Sequence, residues 1–238
     1  MNMKKHLPNL ITLLNLLSGC IALVFASKDN FEMAFFFVCL GIFFDFFDGF
    51  FARLFHVSSP LGLQLDSLAD MVTSGVLPGF VMYQMILNCV HSDPSLIYLP
   101  YLGFIITLGS CYRLANFNID TRQTDSFIGL PTPANAIFIL SLPLILKNTD
   151  SLIVLEMLTN HWNLLFVSVI SAFILNAEIP LFALKIKKFN IKDNALQLFF
   201  LLISVLLLVF LKFTGVALTI VFYVLLSFIS NKLNANKS

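Results

Sequence analysis

The chain has 238 residues, of which 58% are hydrophobic and only 11% are charged. Soluble globular domains usually carry about 25% charged residues. This composition, with a mean hydropathy of +0.91, therefore excludes a soluble enzyme or binding domain and indicates a polytopic membrane protein. The formal net charge of +1 says nothing about partners, and no nucleic-acid partner is expected.

Eight apolar segments come close to the length of a bilayer-spanning helix, about 20 residues. They are 9–26, 31–53, 66–90, 96–116, 133–147, 163–184, 195–212 and 214–231. The predicted fold class is therefore all-α, a polytopic bundle of about eight transmembrane helices. We interpret the first segment as an uncleaved helix rather than a signal peptide, because further spans follow at once. Pro143 interrupts the fifth segment, and we expect 150–159 to lie at the membrane interface.

The basic residues give an orientation to these segments. With an even number of spans both termini face one side, which would hold eleven of the fourteen Lys and Arg residues: Lys4, Lys5, Arg53, Arg113, Arg122, Lys185, Lys187, Lys188, Lys192, Lys232 and Lys237. Lys28, Lys147 and Lys212 would face the other side. Cytoplasmic segments carry the excess of Lys and Arg. We therefore expect an integral protein of the cytoplasmic (inner) membrane with both termini in the cytoplasm.

Four carboxylates interrupt the second and third apolar segments. Asp45 and Asp48 are three residues apart and Asp66 and Asp70 are four apart, so each pair shares one helix face. The connection 56–62 contains Pro and Gly and lets neighbouring helices bring the two pairs together. Four acids in hydrocarbon repel one another and are costly. Bound divalent cations are expected to offset this repulsion.

The carboxylates alone leave three alternatives open: a structural polar network, an ion or proton pathway, and a metal-dependent phosphoryl site. Gly49, Ala52 and Gly62 would leave space for a ligand beside the backbone, although small residues also serve helix packing in membranes. Arg53 is either a basic residue at headgroup level or a phosphate partner. Oxygen-only ligands suit Mg²⁺ or Mn²⁺ rather than zinc. Two such ions could clamp a pyrophosphate.

Written as a pattern, residues 45–70 read D-x2-D-G-x2-A-R-x8-G-x3-D-x3-D. This pattern resembles, at every fixed position, the signature of the CDP-alcohol phosphatidyltransferases. The resemblance implies transfer of the phosphatidyl group of CDP-diacylglycerol to a small alcohol, with release of CMP and with two divalent cations, Mg²⁺ or Mn²⁺, as cofactors.

The resemblance also implies roles for individual residues. Asp45, Asp48, Asp66 and Asp70 would be metal ligands, and Asp70 would also be the catalytic base that takes the proton of the acceptor hydroxyl. The CDP-lipid would be bound by Gly49, Ala52, Arg53 and Gly62. Pro8, Asn9 and Thr12 resemble a family element that lies beside the nucleotide, so Asn9 and Thr12 would also bind the CDP-lipid.

At the level of the whole chain, we expect a single integral membrane domain over 1–238. Residues 1–184 would form a six-helix catalytic core, and 185–238 would add two transmembrane helices and a short tail. A homodimer surrounded by membrane lipids is expected from the resemblance alone.

A second cluster, 113–118 followed by 127–134, resembles elements of the membrane-embedded phosphatidylserine synthases of bacteria and archaea. One position departs, since Asn116 stands where those enzymes often have Arg. The resemblance favours L-serine as the acceptor, bound by Arg113, Arg122 and Asn118. Guanidinium groups can grip a carboxylate. From the residues alone, both arginines are equally well explained as charges that set topology.

Other functions stay open at this stage. A phosphorylated acceptor, glycerol 3-phosphate or inositol phosphate, would need more cationic contacts, which the lysines of 185–192 could provide. A cation transporter could use the four aspartates as an ion site, although such sites are expected near the bilayer centre, whereas Arg53 and 56–62 hold the acids toward the cytoplasm. Glu178, near the end of the sixth segment, either pairs with a basic residue or borders the acceptor pocket.

Overall fold

The computed structural model describes residues 6–57, 59–91, 93–120, 128–182 and 194–235. Within these ranges the regular structure is helical, and a single isolated bridge pairs Ile128 with Pro180. The α-helices are α1 (Leu7–Ala26), α2 (Phe31–Leu54), α3 (Pro60–Asp70), α4 (Leu77–Val90), α5 (Ile105–Ile119), α6 (Thr132–Asn148), α7 (Leu152–Thr159), α8 (His161–Asn176) and α9 (Ala195–Ala235).

Helix α1 packs on α2 through small and polar residues. Its buried positions recur every three or four residues and are Pro8, Thr12, Asn15, Ser18, Gly19, Ala22 and Ala26. Small side chains let helix backbones approach closely in membranes, where packing rather than water exclusion holds helices together. The polar members of this row face the protein instead of the lipid.

A π-helical turn, Met71–Val76, joins α3 to α4, so that 60–90 is one continuous helical stretch. Such turns are rare in proteins, and many of those that do occur lie at functional sites. Thr73, Ser74 and Gly75 in this turn are buried. The turn directly follows Asp70 and packs against α1 and α2 at the glycines of those helices, Gly19 and Gly41.

Helix α9 is broken at Lys212, whose backbone has φ 48° and ψ −120°. The rings of Phe200 and Phe222 stack at 5.9 Å. In a straight helix, 22 residues would separate them by about 33 Å. The chain therefore reverses at Lys212, and the two halves of α9 lie side by side, corresponding to the predicted segments 195–212 and 214–231.

The two ends of the bundle are chemically different. Lys147 Nζ lies 2.9 Å from Glu32 Oε1, and Phe213 packs on Phe35 at 5.7 Å. These contacts place the start of α2, the end of α6 and the reversal at Lys212 at one end. The four aspartates lie toward the other end, near the start of α1 and the end of α2.

Five helical stretches within the described residues are long and apolar enough to cross a membrane: Leu7–Ala26, Phe31–Leu54, Pro60–Val90, Pro94–Ile119 and Ala195–Leu233. The pair α7 and α8, bent by 73°, makes a sixth if it is counted as one span. Helix α6 has 17 residues. Each of the eight predicted segments falls on a helix. The all-helical membrane fold is thus confirmed, while the count of eight crossings stays a prediction.

Two predicted boundaries are wrong. Helix α3 begins at Pro60, because Ser59 caps it by accepting a hydrogen bond from the amide of Gly62; Gly62 is therefore helical. The sixth segment, predicted to reach residue 184, ends as a helix at Asn176. There the carbonyl of Ile179 accepts a hydrogen bond from the amide of Gly129. Glu178 consequently lies outside the helix and is exposed.

Candidate active site

Three aspartates from two helices converge on one point. Asp45 and Asp48 come from successive turns of α2, and Asp66 comes from α3. One carboxylate oxygen from each lies within 4.8 Å of the others. The two helices thus bring Asp66, one member of the second predicted pair, to the first pair, Asp45 and Asp48.

The surroundings of these acids fit a divalent cation. Asp48 is only 6% exposed, and Asp66 Oδ1 is buried without a hydrogen-bond partner among the described residues. A buried charged oxygen with no donor is costly, and a hard cation with oxygen ligands would satisfy it. Asp70, also predicted as a ligand, is outside this group of three. It is 9% exposed and lies one helical turn beyond Asp66.

Helix α1 supplies two hydrogen bonds to the acids. Thr12 Oγ1 donates to Asp48 Oδ2 at 2.5 Å, and Asn15 Nδ2 donates to Asp70 Oδ1 at 3.0 Å. The backbone carbonyl of Asn15 accepts from Thr73 Oγ1 at 3.2 Å, which ties α1 to the π turn. Thr12 was predicted from the sequence as a site residue, whereas Asn15 was not. The available signal was its position three residues after Thr12, on the same helix face.

A cavity of about 170 Å³ lies on one side of the acids. Five of the six residues predicted to bind the CDP-lipid line it. Its lining is Pro8, Asn9, Thr12, Asp48, Gly49, Ala52, Val57, Ser59, Gly62, Leu63 and Asp66. The sixth residue, Arg53, is exposed, and its guanidinium lies beside Gly49, 3.6 Å from where a Cβ would stand. The Arg53 guanidinium therefore lies next to Gly49 in the wall of this cavity, which we call the nucleotide-side cavity.

A second cavity, of about 240 Å³, lies on the other side of the acids. It is lined by Asp45, Asp66, Ser67, Asp70, Arg113, Leu114, Phe117, Pro131, Thr132 and Pro133. Asp66 lines both cavities, so the acidic cluster separates them. We call this one the acceptor-side cavity, because it combines Asp70 with a cationic side chain.

The predicted acceptor residues have different positions. Arg113 is 7% exposed, lines the acceptor-side cavity and donates from a guanidinium nitrogen to the carbonyl of Ile128 at 2.7 Å. A charge that only sets topology would reach the headgroups, so the burial of Arg113 favours a role inside the protein. Asn118 instead bonds Ser67, with Nδ2 donating to Oγ at 2.8 Å. Arg122 and the lysines of 185–192 lie outside the described residues.

A larger cavity of about 530 Å³ occupies the opposite end of the bundle. Lys28, Glu32 and Lys147 line it, and none of the four motif aspartates does. The four motif aspartates therefore line the two smaller cavities and not this one.

The sequence is similar to those of known proteins of one family. The family model of the CDP-alcohol phosphatidyltransferases matches residues 5–229. A CDP-diacylglycerol–serine O-phosphatidyltransferase of Bacillus subtilis is 36% identical over 132 residues, which are 54% of this chain and 70% of that protein. The enzyme of the same name from Saccharomyces cerevisiae is 33% identical over 153 residues, 58% of this chain and 53% of the relative.

An archaetidylserine synthase of Methanothermobacter thermautotrophicus is 31% identical over 140 residues, 57% of this chain and 56% of that protein. The chain thus aligns with about half the length of the yeast and archaeal relatives and with more of the bacterial one. The family model, in contrast, extends across nearly all of the sequence, including every residue of the acidic cluster. The chain belongs to the CDP-alcohol phosphatidyltransferase family.

Proposed function

We propose that this protein transfers the phosphatidyl group of CDP-diacylglycerol to L-serine, giving phosphatidylserine and CMP. The observation that carries the proposal is the acidic cluster with a cavity on each side, one for a nucleotide diphosphate and one for a small acceptor. The names of the relatives support serine as the acceptor. Membership of the family favours this transferase over the alternative of a cation transporter.

The nucleotide-side cavity would hold the cytidine diphosphate part of the lipid. Gly49, Ala52 and Gly62 keep its wall free of bulky side chains, so that the backbone can approach the ligand. Asn9 offers an amide beside Gly62, and Arg53 offers a guanidinium for a phosphate at the rim.

The aspartates would hold two divalent cations, Mg²⁺ or Mn²⁺. Asp45, Asp48 and Asp66 offer converging oxygens, and Asp70 faces the same region from the acceptor side. When bound, such ions neutralise charge on the phosphate oxygens of the transferred and leaving groups. Thr12 helps to orient the Asp48 carboxylate by donating a hydrogen bond to it.

Asp70 would act as the general base. The oxygen of the serine hydroxyl attacks the lipid-bearing phosphorus, its proton passes to the Asp70 carboxylate, and the bond from that phosphorus to the CMP oxygen breaks. Asn15 occupies one lone pair of Asp70 Oδ1, which leaves Asp70 Oδ2 for the proton. Asp70 lines the cavity where the acceptor would bind, and a general base must lie within hydrogen-bond distance of the proton that it takes.

In the acceptor-side cavity, the buried Arg113 guanidinium would bind the serine carboxylate. Asn118, through Ser67, would help to shape the wall, and we retain Arg122 as a second cationic contact. Glycerol 3-phosphate or inositol phosphate would bring two negative charges or more. A single described arginine in this cavity suits the carboxylate of a zwitterion better.

The proposed arrangement in the membrane places the acidic cluster on the cytoplasmic side, where nucleotide and serine are dissolved. Lys28, Lys147 and Lys212 lie at the end of the bundle away from the site, and they are only three of the fourteen Lys and Arg residues. Because cytoplasmic segments carry the excess of basic residues, this end would face outward, which supports the proposed orientation. We also propose both termini in the cytoplasm of a cell with an inner membrane, a core of 1–184 followed by two further spans, and a homodimer.

The test is CMP release by the purified protein with CDP-diacylglycerol. We expect release to require serine, to stop on chelation of divalent cations and to resume on addition of Mg²⁺ or Mn²⁺. Glycerol 3-phosphate and inositol phosphate serve as matched acceptors. Release that depends on either of these instead of serine would overturn the acceptor assignment, and release that persists in a chelator would overturn the metal assignment.

A further inference from the structure

An apolar groove of about 220 Å³ lies between α6, α8 and the second half of α9. Its twelve lining residues include Leu130, Asn135, Phe166, Ile170, Ser171 and Ile174. Ten of these twelve side chains are hydrocarbon, which suits an aliphatic chain. The two exceptions, Asn135 and Ser171, face each other across α6 and α8.

Asn135 has an unused hydrogen-bond donor. It is 1% exposed, and its Oδ1 accepts a hydrogen bond from Ser171 Oγ. Its Nδ2 has no acceptor among the described residues. A buried amide donor without a partner is costly, so a ligand in this groove should offer an acceptor oxygen as well as hydrocarbon.

The lining of the groove and that of the acceptor-side cavity adjoin in the chain, at Leu130 and Pro131. Leu130 lines the groove, and the next three residues, Pro131, Thr132 and Pro133, line the cavity that contains Asp70. From there the groove follows α8 from Ile174 back to Phe166, eight residues or about 12 Å. This direction leads from the site toward the opposite end of the bundle, that is, into the bilayer.

We propose that the groove holds one acyl chain of the nucleotide-activated lipid, with Asn135 Nδ2 donating to the ester carbonyl of that chain. The inference rests on the proposed function, because it assumes that the phosphorus of the same lipid lies at the acidic cluster. An ester carbonyl close to the glycerol and a long hydrocarbon tail beyond it match the order of features along the groove: the site, the amide, then the apolar walls.

The first experiment fills the groove. Ile170→Trp places a large ring in it, and Val169→Trp is the matched control, because Val169 is the exposed neighbour on α8 outside the lining. Substrates are CDP-dioleoylglycerol and the short-chain CDP-dihexanoylglycerol. We expect Ile170→Trp to raise the KM for the long-chain substrate by about tenfold or more. The KM for the short-chain substrate and the KM for serine should stay unchanged, and Val169→Trp should behave as wild type.

The second experiment removes the amide. Asn135→Leu retains the branched shape of the side chain, and a matched ether-linked CDP-dialkylglycerol lacks the ester carbonyl. We expect wild-type protein to bind the ester substrate more tightly than the ether analogue, in the absence of serine. Asn135→Leu should erase this preference. If Asn135→Leu unfolds, the double variant Asn135→Leu with Ser171→Ala is used instead. The second change removes the Ser171 hydroxyl, which would otherwise lose its hydrogen-bond acceptor.

The outcomes separate the inference from the function beneath it. If wild-type protein releases no serine-dependent CMP from either chain length, the proposed function fails. If it does, and Ile170→Trp affects both chain lengths equally or neither, the groove holds ordinary membrane lipid and the inference is wrong. An ester preference that survives in Asn135→Leu would overturn the role of the amide.

Discussion

Asp70 and Asn15 form a buried pair at which base chemistry can be tested without disturbing the fold. In Asp70→Asn, the side-chain carbonyl can still accept the hydrogen bond from Asn15 Nδ2, while the proton acceptor is lost. We expect turnover to fall by a factor of about 10² to 10⁴, with CDP-lipid binding largely retained. Single-turnover rates and equilibrium binding measure the two separately. Turnover equal to wild type would exclude Asp70 as the base.

Asn15 is expected to be a positioning residue. Asn15→Leu keeps the branched shape of the side chain but removes the donor to Asp70, and substitution of such supporting groups typically costs about 10- to 100-fold in activity. The loss should appear in kcat, with the KM for the CDP-lipid unchanged. Ser18→Ala, one turn further along the same face of α1, removes a hydroxyl that donates to the carbonyl of Leu14 and is the control. An equal loss in the control would indicate general loosening of α1.

The motif over 45–70 predicted which of its residues would lie together, but it did not reveal which residues elsewhere in the chain would hydrogen-bond to them. Its small residues and acids do line two adjoining cavities. Asn15 was missed because an amide in an apolar run can be matched to a distant carboxylate only after the neighbouring helix is known. The burial of Arg113 was equally hidden, since the same residue at a helix end would serve topology in one fold and a site in another.

Among the elements, the close approach of α1, α2 and the π turn depends on Gly41. A Cβ there would lie 2.8 Å from Thr73 Cγ2 and 2.9 Å from Asn15 Oδ1, closer than carbon contacts allow. Gly41→Ala should therefore destabilise the protein by about 1 to 3 kcal/mol, measured as a lower thermal unfolding temperature in detergent.

Gly49→Ala is the matched variant, because its Cβ would meet nothing closer than 3.6 Å. Its unfolding temperature should equal that of wild type, while its methyl group projects beside Arg53 and raises the KM for the CDP-lipid. The expectation for Gly41 fails if both variants unfold at the same temperature.

The sequence predicted the positions and order of the helical segments better than their details. Hydropathy carries no information on which backbone groups of a helix are hydrogen-bonded to each other, so it cannot distinguish the π turn inside 66–90 from an ordinary α-helix. The end of α8 at Asn176 depends on hydrogen bonds between 174–179 and 129–130, which join parts of the chain that are distant in sequence. Pro143 lies within α6 without ending it, since the helix continues to Asn148.

For the molecule as a whole, the opposition of its two ends predicts a sidedness that labelling can detect. In a background without the native cysteines, Lys28→Cys and Lys147→Cys should react with a membrane-impermeant maleimide on intact cells. Lys232→Cys should react only after permeabilisation, because it ends the second half of α9 on the site side. Labelling of Lys232→Cys in intact cells would reverse the proposed orientation.

The position of Asp66, shared by both cavities, has a consequence for the order of events during turnover. On the proposed function, the cytidine diphosphate part of the lipid and serine would occupy different cavities, so serine can enter before CMP has left, and no covalent intermediate on the protein is needed to free space for it. A ternary complex should therefore form, and double-reciprocal plots of initial rate at several fixed serine concentrations should intersect. A family of parallel lines would reveal a ping-pong scheme, in which CMP departs first.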